Sequence, residues 1–282
     1  VSYDSPKILL KRLGLRPKKS LGQHFLVHPH QARRIVAALD LTYEDTVVEI
    51  GAGLGALTGF LAPAARRVIA LERDRELARF LSEELLAGTP GVEVICLDVL
   101  KFDFAGVARE AGRPLAVVGN LPYQITSPLL FTLIRGQASI SRAVLMMQQE
   151  VGARLTASPG TKDYGILSVL GQYHFRVTRL FDLTPGNFYP SPQVDSVVLR
   201  LVPESPDPAA GDAAVLHRLV KMAFGHRRKT LNNTLGSGAE AFGLSPEAMR
   251  ALLKELGIDL KRRGETLSLA EFVEISNRVS RS

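Results

Sequence analysis

Asn120-Leu121-Pro122-Tyr123 follows the apolar run Leu115-Ala116-Val117-Val118-Gly119, and together these four residues carry the groups needed to alkylate an exocyclic amine. The nitrogen of an aromatic amine such as adenine N6 is a poor nucleophile, because its lone pair is delocalised into the ring. Acceptors that hold its two N–H groups favour a pyramidal nitrogen whose lone pair points at an electrophile. The side-chain carbonyl of an Asn and a backbone carbonyl beside proline are such acceptors. A Tyr at the same rim can stack on a base, an interaction worth roughly 1–3 kcal/mol. The same residues also suit a plain strand-ending turn, so the reading depends on what the chain brings to that strand end.

Three further strand ends supply polar groups. Glu49-Ile50-Gly51-Ala52-Gly53-Leu54-Gly55-Ala56 follows one apolar run and opens a helix, matching the Gly-x-Gly-x-x-Gly/Ala fingerprint whose glycines let a ligand approach the backbone. Glu72 ends the next run, near the spacing of about 20 residues at which an acid holds ribose hydroxyls. Asp98 ends the third, where its carboxylate can accept from an adenine amino group or cap the following segment. These features predict a site for a nucleoside-type cofactor, and a dinucleotide fits them equally.

The elements that must position these groups are legible as alternating patterns. Short apolar runs at 46–50, 67–71, 92–97, 115–119 and 143–147 read as buried parallel strands. Helical spacings separate them, with Asp74 as a cap and Ser127-Pro128 opening a helix with proline at its first position. Runs at 176–183 and 194–202 add two strands, expected as an antiparallel pair at the sheet edge. The order predicts an α/β fold with a doubly wound, mostly parallel sheet, whose ligands lie at the carboxyl ends of the strands. A domain over 1–202, a Pro-rich linker over 203–211 and a small all-α domain over 212–282 are expected. The last is signalled by Leu216, Leu219, Val220 and Phe224, by Ser245-Pro246, and by the capping box Ser268-Leu269-Ala270-Glu271.

Composition restricts the function classes. The 282 residues are 46% hydrophobic with no Trp, enough for one full core and a small second one. The longest uncharged apolar stretch, 50–65, is broken by glycines and Pro63 and falls short of the roughly 18 residues of a membrane span. The amino end has no signal-peptide core, and the single Cys96 allows neither an internal disulfide nor a Cys-based zinc cluster. A cytoplasmic protein without metal or membrane association is expected. Charge is polarised within the net +7: residues 1–34 hold eight Lys/Arg and one acid, 35–212 fifteen and twenty, and 213–282 twelve and seven. Basic ends can simply solvate helices. Flanking a base-binding site, they favour a polyanion gripped through its phosphates, at Lys18 and Lys19 on one side and Arg227, Arg228 and Lys229 on the other.

The glycine motif with Glu72, Asp98 and Asn120-Leu121-Pro122-Tyr123 resembles the successive motifs of class I S-adenosylmethionine methyltransferases acting on adenine N6. Four other segments, Lys18 to Leu26, Gln148 to Val151, Asn187 to Ser196 and Ala223 to Lys229, resemble the bacterial 16S ribosomal RNA adenine dimethyltransferases of the kasugamycin-resistance family, and the similarity covers nearly the whole chain. The resemblance implies a seven-stranded class I sheet and S-adenosylmethionine as cofactor. It also implies dimethylation at N6 of two adjacent adenosines near the 3′ end of 16S ribosomal RNA, with the 30S subunit as partner of a monomeric enzyme. It places His24 and Leu26 at the methionine end of the cofactor, Gly51 along its backbone-facing side, Glu72 on the ribose and Asp98 on the adenine. Asn120 lies at the edge shared with substrate, Leu121 and Pro122 complete the motif, and Tyr123 and Phe188 sandwich the target base. Many relatives have Asn where this chain has His24, which leaves a backbone contact as the secure one there. A 23S ribosomal RNA adenine methyltransferase of the antibiotic-resistance type shares the catalytic motifs, but the segment from Phe224 to Lys229 and the long basic amino end argue against it. The basic ends also suit an assembly factor whose methylation is secondary.

Overall fold

A computed structural model describes residues 5–122, 125–226 and 228–281. Tyr123 and Arg227, both expected site residues, lie outside the described residues.

The chain divides into two compact units, the first comprising residues 1–152 and 177–203. Its centre is a seven-stranded sheet built from β2 (Thr46–Ile50), β3 (Arg67–Glu72), β4 (Val92–Cys96), β5 (Leu115–Asn120), β6 (Ile140–Gln148), β7 (Phe175–Leu183) and β9 (Ser196–Pro203). The order is β4-β3-β2-β5-β6-β9-β7. The first five of these are parallel to their neighbours, and β9 is antiparallel to β6. The β-branched runs explain the central position of β2 and β5: every residue of β2 is buried, as are Leu115 to Gly119 of β5. Strand β4 is at one edge and keeps Cys96 exposed. The two late strands are neighbours at the other edge, as their closeness in sequence suggests.

Helix boundaries follow the capping chemistry. The Asp74 side chain accepts from the Glu76 N–H and opens Arg75–Phe80. The helix Thr126–Arg135 starts one residue before Ser127, so Pro128 is its third residue and not its first. Proline is tolerated there because the first turn needs no intrahelical N–H donor.

One pairing has no precursor in the periodicity. A two-stranded antiparallel ribbon joins β1 (Phe25–Leu26) to β8 (Phe188–Tyr189), with Phe25 opposite Tyr189 and Leu26 opposite Phe188. Val27 N–H extends it by donating to the Asn187 carbonyl at 2.9 Å. Two-residue strands are too short to show alternation.

The second unit comprises residues 153–176 and 204–282. The expected division at 202 therefore omits one segment: residues 153–176, including the helix Ile166–His174, belong with the carboxyl-terminal helices. That helix buries Leu167, Val169, Leu170 and Tyr173, a surface that has to be covered by other helices. Tyr164, 1% exposed, donates its hydroxyl to the Leu267 carbonyl at 2.9 Å. The helices Ala213–Phe224, Pro246–Glu255 and Leu269–Val279 complete the unit. The last starts with the expected reciprocal box, Glu271 N–H to Ser268 Oγ and Ser268 N–H to Glu271.

Candidate active site

Parallel register brings the polar strand ends into one row. Ile50 is level with Leu71 and with Gly119, and Leu71 with Ile95. The next residues, Gly51, Glu72, Cys96 and Asn120, therefore leave the sheet side by side, and Asp98 follows two positions later. Gly51, Glu72, Asp98 and Asn120 line one cleft with Glu49, Gly53 and Arg73, and the amino-terminal segment adds Gln23, His24 and Leu26. All six residues expected at a cofactor are thus gathered within the first unit.

The glycine turn is built for close approach. Gly51 and Gly53 have φ of 71° and 59°, a region that favours glycine. A Cβ at Gly53 would come within 3.2 Å of the Phe25 ring. The Gly53 N–H instead points to Glu72 Oε2 at 2.8 Å, while Glu72 Oε1 accepts from the Asp74 N–H at 2.8 Å. Backbone donors orient both carboxylate oxygens, and the carboxylate retains capacity to accept from a hydroxyl. Burial raises the Glu72 carboxyl above its usual range, and these N–H groups pull it back. Behind it, Glu49 is 1% exposed and accepts from Thr58 Oγ1 at 2.6 Å. Burial pushes Glu49 up to about 8, so it is mostly a neutral acid at pH 7. Glycines that admit a ligand, an acid beside them and a second acid at Asp98 fit the ribose and purine of a nucleoside.

At the other end of the cleft, Asn120 Nδ2 donates to the backbone carbonyl of His24 at 2.7 Å. A carbonyl can only accept, so this contact fixes which end of the Asn120 amide is oxygen. His24 Nδ1 in turn donates to the Pro190 carbonyl at 2.6 Å. The side chain of His24 is thereby tied to the turn after β8, while its backbone holds Asn120. Leu121 is buried and donates its N–H to the Met146 carbonyl, and the Pro122 carbonyl accepts from Thr126 Oγ1.

Two expected site residues already have partners within the fold. Lys18, expected on phosphate, has its ammonium 2.8 Å from Asp74 Oδ1 and 2.7 Å from Glu76 Oε2, and these partners raise its pKa. A phosphate would have to compete with two carboxylates. Gln23 completes the strap: its Oε1 accepts from the Lys18 N–H and its Nε2 donates to Asp74 Oδ2. Burial alone would raise the Asp74 carboxyl, but the donors Lys18, Gln23 and the Glu76 N–H outweigh it and hold it below its usual value. Phe188, expected against a base, is only 4% exposed and belongs to the apolar cluster of Leu26, Val36, Leu183 and Val198. Its pairing with Leu26 in the short ribbon puts the ring into that core. Lys19, Arg228 and Lys229 are exposed, and Lys229 closes a turn on the His226 carbonyl.

Sequence reasoning missed Gln23, Glu49, Thr58 and Arg73. Gln23 and Glu49 lie inside the motifs already singled out, and that adjacency was the available signal; Thr58 and Arg73 each lie next to such a motif.

A family model for ribosomal RNA adenine dimethylases matches residues 14–281. The chain belongs to that family. Ribosomal RNA small subunit methyltransferase A of Geobacter metallireducens is 47% identical over 265 residues, covering 93% of this chain and 95% of the relative. The protein of the same name from Myxococcus xanthus is 45% identical over 274 residues, 96% and 94% of the two chains. Among solved structures, a dimethyladenosine transferase from Plasmodium falciparum is similar with a TM-score of 0.78 at 26% identity, covering 92% of this chain and 98% of that one. The 23S rRNA methyltransferase ErmE follows at 0.66 and 25%, covering 91% and 99%. The sheet is that of the class I methyltransferases, and the protein is an enzyme of ribosomal RNA adenine dimethylation that needs a methyl donor. Among the described residues no helix is long and apolar enough to cross a membrane.

Proposed function

We propose that the protein uses S-adenosylmethionine to dimethylate N6 of two adjacent adenosines near the 3′ end of 16S ribosomal RNA, within the 30S subunit. The observation that carries the chemistry is the Asn120 amide, held by the His24 carbonyl at the carboxyl end of β5. With Nδ2 committed, Oδ1 is left to accept one N–H of the target amine, and the Leu121 carbonyl accepts the other. The bound cofactor supplies an electrophilic methyl group on a sulfonium. Asn120 removes no proton. It aligns the nitrogen lone pair, and the methylated ammonium is acidic enough to release its proton to water. Alignment of this kind supplies much of an enzyme's acceleration. Glu72 takes the ribose hydroxyls and Asp98 the adenine amine, with Gly51 along the cofactor, and His24 and Leu26 at its methionine end.

The target base has to leave any stack to reach Asn120, and Tyr123 offsets part of that cost. Lys19, with Arg227, Arg228 and Lys229, grips ribosomal RNA phosphates. We further read the protein as a cytoplasmic monomer that also assists small-subunit assembly. The small-subunit substrate is favoured over the large because relatives at 42–47% identity carry the small-subunit name, whereas the 23S enzyme is 25% identical. Methyl incorporation into unmethylated 30S particles, with 50S particles and duplex DNA as alternatives, tests the proposal. Labelling of 50S in preference to 30S would reject it.

A further inference from the structure

Arg73 is the residue between two anchors. It follows Glu72 at the end of β3 and extends toward the neighbouring strand, where its Nη1 is 3.5 Å from Asp98 Oδ2. Asp98 Oδ1 accepts from the Leu100 N–H at 3.1 Å, so the guanidinium sits on the oxygen directed away from that turn. Both residues line the cleft. In the proposed cofactor site, which this inference rests on, Glu72 holds the ribose and Asp98 the exocyclic amine. Ribose and amine are at opposite ends of adenine, and the ring must fill the gap that the Arg73 side chain now spans.

Two things can happen to the guanidinium when the ring arrives. It can be expelled to solvent, in which case the ion pair is a plug that opposes binding. Alternatively, it can slide onto a face of the purine while keeping an N–H on Asp98. The ion pair is long and the Arg73 side chain is 60% exposed, so it gives way at little cost. A planar guanidinium over an aromatic face regains attraction and is weakly hydrated, which favours stacking over expulsion. We infer that Arg73 is a cofactor-binding residue that closes over one face of the adenine ring, bridging from β3 to Asp98 across it.

Titration calorimetry of S-adenosylhomocysteine against the full chain tests this, with Arg73→Ala, Arg73→Lys and Glu72→Ala compared. Stacking predicts that Arg73→Ala weakens binding about three- to thirtyfold, with the melting temperature of the ligand-free protein unchanged. Arg73→Lys, which keeps the charge but not the plane, should recover only part of the loss. Unchanged or tighter binding in Arg73→Ala would overturn the inference, leaving a spectator or a plug. Full recovery with Lys would overturn it too, because a charge beside Asp98 would then suffice. If Glu72→Ala binds as tightly as the wild type, or the wild type itself fails to bind, the proposed cofactor site is wrong, an outcome distinct from either.

Discussion

The side chain of Asn120 donates to the backbone carbonyl of His24 at 2.7 Å across 96 positions of sequence. The amino-terminal segment thereby fixes the amide proposed to hold the substrate amine. Asn120→Ala should lower methyl transfer about 100-fold or more, a loss typical of removing one positioned hydrogen-bonding group at a reacting centre. Asn120→Asp should be no better, since a carboxylate cannot donate to a carbonyl. Cofactor affinity should weaken only modestly in both, whereas Glu72→Ala should lose it. Single-turnover rates and calorimetry on the three variants separate the roles, and near-normal turnover in Asn120→Ala would refute the orientation mechanism.

Neighbouring lysines should behave differently. Lys18 is paired with Asp74 and Glu76, next to the carboxylate proposed for ribose, while Lys19 is exposed. Lys18→Ala is expected to weaken cofactor binding and leave the salt dependence of 30S binding as it was. Lys19→Ala should do the opposite, lowering the salt slope by about one counterion. Titrations at several salt concentrations check this, and the same slope change in both variants would place both lysines on phosphate.

Phe188 tests whether its burial reflects its role. Phe188→Ala removes a ring that is 4% exposed and packed in an apolar cluster with Leu26, Leu183 and Val198, and should cost about 3–5 kcal/mol of stability. Phe188→Leu should keep most of the stability. If Phe188→Ala melted like the wild type but lost turnover on 30S, the ring would be serving the base after all.

Glu49 should impose a pH dependence on stability. Its carboxyl is raised from 4.5 to about 8 in the fold, first by burial, so between those values the folded state holds a proton that the unfolded chain releases. Its stabilising contribution is complete below pH 4.5 and falls as pH rises toward 8, by at most about 1.4 kcal/mol per pH unit. Glu49→Gln keeps an acceptor for Thr58 and removes the titration. Urea unfolding at pH 6 and pH 8.5 should show the variant gaining on the wild type at the higher pH. Parallel curves would mean that Glu49 is ionised in the fold.

The linear chain by itself determined the sheet and the row of groups at its edge. Apolar runs such as 46–50 and 115–119 bury on both faces only as inner parallel strands, and parallel strands necessarily present their carboxyl ends together, so Gly51, Glu72, Asp98 and Asn120 had to converge. The tertiary structure alone decided what lies across that row. Leu26 opposite Phe188, Lys18 on Asp74 and His24 on Asn120 and Pro190 join distant positions through contacts that leave no periodic trace. A lysine looks the same in sequence whether it faces phosphate or two carboxylates, and an aromatic the same whether it awaits a base or fills a core. Likewise, residues 153–176 join the second unit because the helix Ile166–His174 is apolar on faces that only other helices can cover, a matter of which surfaces meet after the chain has folded.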